Sequence, residues 1–131
     1  MTHWQNDILS RLEKYAGHRV SHDETSVRVH CTNPESAPVS IIATDDEYQV
    51  HIGGWHEHFN DVEDAKNCFA FSFSDVCRLK VTKRGKFECA WTLQSKKDDT
   101  LADDSTTGLM FVPFWRHKHI EYRFNILPRK T

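Results

Sequence analysis

The stretch CRLKV‑TKRGK‑FECAWTL, residues 77 to 93, constrains the fold of this 131-residue chain more than any other. It alternates with a period of two on both sides of Gly85. Cys77, Leu79 and Val81 share one face of the first run; Phe87, Cys89, Trp91 and Leu93 share one face of the second. A glycine between two alternating runs reads as a β-hairpin. Similar short runs occur on either side of it. VRVHC sets Val27, Val29 and Cys31 against Arg28 and His30. VSIIA follows after the turn NPESAP. YQVHI follows TDDE, with Tyr48, Val50 and Ile52 inward and Gln49 and His51 outward. IEYRFNIL places Ile120, Tyr122, Phe124 and Ile126 inward. LMFVPFW is apolar on both faces and reads as a covered strand, with an edge or bulge at Pro113. QSKKDDTLADDSTTG reads as a polar loop.

Two segments carry a helical pattern. In residues 3 to 16, Trp4, Ile8, Leu12 and Tyr15 recur on one face, joined by Leu9. Thr2 and Gln5 have capping-box spacing, and Gly17 is a C-terminal stop. The second helix spans about 61 to 72, with Asn60 and Glu63 as a cap and Asp61, Glu63 and Asp64 suited to a helix N-terminus. Its later part is ambiguous, because Phe69, Phe71 and Phe73 alternate as in a strand.

The order is therefore helix, three strands, helix, about four strands. One helix between strands does not build a parallel βαβ sheet. The expected fold is α+β: an antiparallel sheet of about six to seven strands with two helices packed on one face. No repeat or flexible linker divides residues 1–131, so one domain is expected.

Composition narrows the class of function. Apolar residues make up 38% and charged residues 27%, as in a folded soluble domain. The formal charge is −2, which disfavours nonspecific binding to nucleic acid or anionic membranes. The N-terminal stretch has no apolar run of the signal-peptide kind, and no segment approaches the roughly 20 apolar residues of a membrane span. Four cysteines without a CxxC pair suggest reduced, buried thiols and a cytoplasmic location.

Three clusters carry candidate chemistry. In WHEHF, His56 and His58 share a face if the segment is a strand, and two imidazoles on one side can chelate a divalent metal such as zinc. His51, or His117 and His119 of the second HxH pair, would complete the shell. The HExxH metalloprotease pattern is absent. The plainer reading is that these histidines are surface residues, and that Gly53 and Gly54 serve a sharp turn or bulge, with Trp55 and Phe59 tucked beneath the second helix. In DDSTTG, Asp103, Asp104, Ser105 and Thr106 read as a solvated loop, since neither P-loop nor EF-hand spacing is present. No Ser or Cys is marked as an activated nucleophile. Finally, Trp115, Arg116, His117, Lys118, His119, Tyr122, Arg123 and Phe124 interleave cations with aromatics. That mixture suits protein hot spots and, second, single-stranded nucleic-acid platforms.

The run from VHIGGWHEHF through CRLKVTKRGKFECAWTL to DSTTGLMFVPFW resembles a family of small uncharacterised bacterial proteins. The resemblance covers about the last two-thirds of the chain and carries no activity, cofactor or site residue with it. In size, charge and class the chain is also similar to immunity proteins of bacterial toxin systems. The expected function is non-enzymatic binding of another protein, of immunity or adaptor type, without a cofactor. Trp115, Arg116, Lys118, Arg123, Asp103 and Asp104 are its candidate contacts. The alternatives are a metal-binding protein or metal-dependent hydrolase using the HxH pairs, and a small RNA-binding module.

Overall fold

Alternation of buried and exposed residues builds most of this molecule. The computed structural model describes residues 2–97, 100–108 and 115–130, with backbone alone at 97, 100–102 and 104. Its elements run α1 (His3–Leu12), β1 (His18–His22), β2 (Ser26–Cys31), β3 (Val39–Ala43), β4 (Tyr48–Ile52), β5 (Trp55–Phe59), α2 (Val62–Phe71), β6 (Cys77–Arg84), β7 (Phe87–Lys97), β8 (Thr100–Gly108) and β9 (Lys118–Arg123). Every strand pairing among them is antiparallel.

The strands form two sheets rather than the expected one. The first is a five-stranded meander, β1-β2-β3-β4-β5; the second has the order β8-β7-β6-β9. Two of the additional strands come from segments with no hydrophobic alternation. β1, HRVSH, is an edge strand with a single apolar residue. β8 occupies the stretch expected to be a polar loop. Its partner β7 buries Thr92, Gln94 and Ser95 as well as Leu93 where the two pair. The LMFVPFW strand falls largely outside the described residues.

Register explains the first sheet. Val29 pairs with Val39, Val39 with Ile52, and Ile52 with Trp55, forming one inward row. Val27, Ile41 and Val50 form a second. These residues are buried in one hydrophobic cluster with Trp4, Ile8 and Leu12 of α1, Ala65 and Phe69 of α2, and Cys77, Leu79, Val81 and Leu93 of the second sheet. Both sheets and both helices thus share one core. α2 lies against β3, β4 and β5. The buried Lys66 Nζ joins it to α1 through Asp7 at 2.7 Å, and it also meets Glu63 at 3.0 Å.

Both helices are shorter than the periodicity suggests. The Thr2–Gln5 capping box forms, but α1 stops at Leu12, with Glu13 as C-cap. Gly17, at φ +78°, instead turns the chain into β1. The N-cap of α2 is Asp61, not Asn60; its carboxylate accepts from the Glu63 backbone N–H at 3.0 Å. α2 ends at Phe71, so Phe69 and Phe71 are helical.

Gln5 does more than cap. Its side chain is fully buried, and Nε2 donates to the carbonyls of Asp23 (2.7 Å) and Ser26 (3.2 Å) in the β1–β2 turn. Gln5→Ala strips two carbonyls and a cap at once. We expect a loss of about 2 kcal/mol in urea unfolding. A loss no larger than that of an exposed Gln→Ala change would refute this role.

The segment after β9 closes the structure. Asn125 Oδ1 accepts from the Ala37 N–H, and Phe124 N–H donates to the Glu35 carbonyl. Tyr15 and Arg129 form an isolated bridge. Residues 124–130 therefore connect the second sheet to the end of the first and to the chain following α1.

Candidate functional site

Two wet sheet faces hold the residues singled out from the sequence. The first is the outer face of the meander. Because β4 and β5 are joined by the two-residue turn Gly53‑Gly54, Ile52 pairs with Trp55, and this places His51 opposite His56 and Gln49 opposite His58. One cross-strand row reads Ser21, Arg28, Ser40, His51, His56. The His51 and His56 rings stack at 5.4 Å between centroids, and His56 meets His58 edge-on at 5.5 Å. His51 Nε2 lies 3.0 Å from Gln49 Oε1, and His58 Nδ1 pairs with Glu47.

His51, His56 and His58 thus converge, but His117 and His119 are not brought to them. His119 pairs with Lys83 on β6, in the edge strand β9. β5 instead approaches the opposite edge, where Thr107 of β8 contacts the His56 backbone. Three strand spacings separate those edges, about 14 Å. Among the described residues, no group of three or more His, Cys, Asp or Glu is arranged to hold a metal ion.

The electrostatics of the histidine face are repulsive. Burial holds His51 below the ordinary imidazole value, and the neighbouring His56, His58 and Arg28 lower it further. Glu47 lies below the usual carboxylate range, chiefly through its hydrogen bond from His58. A base whose folded value is depressed contributes stability above its unfolded value, near 6.5, and loses it as pH falls below that. Between pH 7 and pH 5, therefore, the urea midpoint of the wild type should fall more than that of His51→Gln. Parallel pH profiles would remove His51 as the cause.

The second face is the outer side of β6–β9. Cys77, Leu79 and Val81 point inward, so Arg78, Lys80 and Thr82 point outward. Tyr122 is opposite Lys80, and Ile120 is opposite Thr82. This reverses the expected direction of Ile120 and Tyr122, which are 42% and 36% exposed; Ile126 is exposed as well. The inner side of β9 is occupied by charge. Glu121 meets Lys83 at 3.0 Å, Arg123 at 2.9 Å and His119 at 3.1 Å. These bonds, Lys83 first, hold the Glu121 carboxyl down to about 2. Arg123 belongs to that inner cluster and is not part of the outer face.

Arg116 and Lys118 lie together at the β6–β7 hairpin tip with Arg84 and Phe87; a β-bulge turns Phe87 away from the buried face of Cys89 and Leu93, where the alternation predicts it. The Arg116 guanidinium sits 5.4 Å over the Phe87 ring, and Arg78 sits 3.9 Å over Tyr122. Arg84 donates to the Arg116 carbonyl at the hairpin tip. Phe87 is 54% exposed and Trp115 72% exposed. Asp103 is on the far edge strand, where its carboxylate accepts from Gln94, which in turn accepts from Arg78. Asp104 falls at the β-bulge opposite Leu93 and Gln94.

Cys31 and Cys68 do not resemble nucleophiles. Burial pushes the Cys31 thiol up to about 11 and Cys68 to about 12, where the reactive thiolate is scarce at neutral pH. No helix among the described residues is long and apolar enough to cross a membrane. Comparisons with protein-family models, curated proteins and solved structures found no match to this chain.

Proposed function

We propose that this chain is a non-enzymatic protein-binding domain, of adaptor or immunity type, which engages its partner through the outer face of β6–β9. The supporting observation is the exposure of Phe87, Ile120 and Tyr122 on one side of the second sheet, with the Phe87 and Tyr122 rings capped by arginine. Aromatic and arginine side chains are the types that anchor protein interfaces. Isolated exposed apolar residues need no explanation, but three on one side of three neighbouring strands suggest a partner.

The test compares affinity capture from host lysate by the wild type and by Phe87→Ala/Tyr122→Ala. Both residues are exposed, so the variant should keep its fold, which circular dichroism would check. A protein retained at near-equal ratio by the wild type should be lost by the variant. Equal capture by the two would reject this face as the binding surface.

A further inference from the structure

Charge identifies the kind of partner. β6 carries Arg78, Lys80 and Arg84 on or beside the outer face, and Arg116 and Lys118 border it from the β9 side. Carboxylates on these strands are placed elsewhere. Glu121 is tied into the inner cluster, and Glu88 is turned toward the Trp91 indole at 2.9 Å. Asp103 lies at the far edge, linked to Arg78 through Gln94. This is a local positive field on a chain whose formal charge is −2. It arises from placement rather than composition.

We infer that the outer face of β6–β9 docks an acidic polypeptide; this rests on the protein-binding reading above. Two features favour polypeptide over nucleic acid. Bases on a single-strand platform stack on open aromatic faces. Here one face of Tyr122 and one face of Phe87 are already covered by guanidinium groups. The centre of the face between the cations is Ile120 beside Thr82, an aliphatic patch suited to apolar side chains. A partner with Asp or Glu flanking one or two apolar residues matches both features, and charge pairing at the rim would speed its encounter.

The probe is a fluorescent Glu–Tyr random copolymer titrated with the full chain, with an oligo(dT) of similar charge as competitor. The expected result is saturable binding that weakens with salt. Lys118→Glu should cut affinity at least about tenfold. Arg19→Glu makes the same charge change on the other sheet and should leave affinity within about twofold. Lys80→Glu provides a second variant if Lys118→Glu perturbs the β9 edge. Absence of copolymer binding, or equal loss in Arg19→Glu and Lys118→Glu, would overturn the inference. So would oligo(dT) binding that is tighter than the copolymer and equally sensitive to Lys118→Glu. Sedimentation showing a dimer abolished by Lys118→Glu would make the occupant a second copy and overturn it as well. If the copolymer fails while Phe87→Ala/Tyr122→Ala still abolishes capture of a host protein, the acidic chemistry is wrong and the docking face stands. Failure of both removes the two together.

Discussion

Trp55→Ala should lower unfolding stability by about 4 kcal/mol, the largest effect expected from a single substitution in this chain. Trp55 is among the largest fully buried side chains. It stands where the two sheets meet: β5 ends the strand order of the first sheet beside β4, and it contacts β7 and β8 of the second. Its indole N–H donates to Ser105 Oγ at 2.8 Å. Truncation therefore removes core volume and the polar bond across the seam together. Two further variants separate these contributions. Ser105→Ala removes the acceptor alone and should cost about 1 kcal/mol. Trp55→Phe should fall between the two. If Trp55→Ala costs no more than Ser105→Ala, the ring contributes little packing and the seam is held by other groups.

Gly54→Ala should cost about 3 kcal/mol, a large effect for one methyl group. A Cβ at this position would lie 2.1 Å from Trp91 Cε2 and 2.4 Å from Cζ2. These are atoms within a fused ring rather than the end of a flexible chain, so the hairpin or the second sheet must shift. The cause is steric, and a double-mutant cycle can isolate it. In a Trp91→Ala background, Gly54→Ala should cost under about 1 kcal/mol. If the cost is unchanged in that background, the penalty comes from the turn conformation instead. Gly53 is the contrasting case. At φ +57° its conformation itself disfavours a side chain.

Much of the meander was legible in the sequence, because its inward rows consist of Val and Ile and its outward rows are polar. The capping box of α1 was legible for the same local reason. The elements missed are those whose structure does not depend on hydrophobic alternation. β1 is bound through its pairing with β2, and β8, with the end of β7 beyond Leu93, consists mostly of polar residues that look like a loop. On β9 the apolar residues do not mark the inward face that alternation alone predicts for them. In the structure, Glu121 with Lys83, Arg123 and His119 fills the inner side, and Ile120 and Tyr122 turn outward.

The histidine face gives a sharper lesson. The placement of His51 relative to His56 looks undetermined across two glycines. A Gly‑Gly pair between alternating runs is nevertheless a two-residue hairpin signal, and that turn alone sets His51 opposite His56. No comparable local signal exists for Arg78, Lys80 or Phe87. Their meeting with Arg116 and Tyr122 depends on the β6–β9 register, which joins residues about forty positions apart.

The segment that follows β9 has a consequence in time as well as in space. Its hydrogen bonds to Cys31, Asn33 and Ala37 span 94, 91 and 88 residues of chain. The meander is built from consecutive hairpins, each closed by a short loop. Closing the longer loops costs more entropy, so these contacts form after the hairpins. Interactions absent from the folding transition state govern how fast a protein opens, not how fast it forms. We expect the segment to act as a latch on the native state: Asn125→Ala should speed unfolding in stopped-flow measurements and leave the folding rate nearly unchanged.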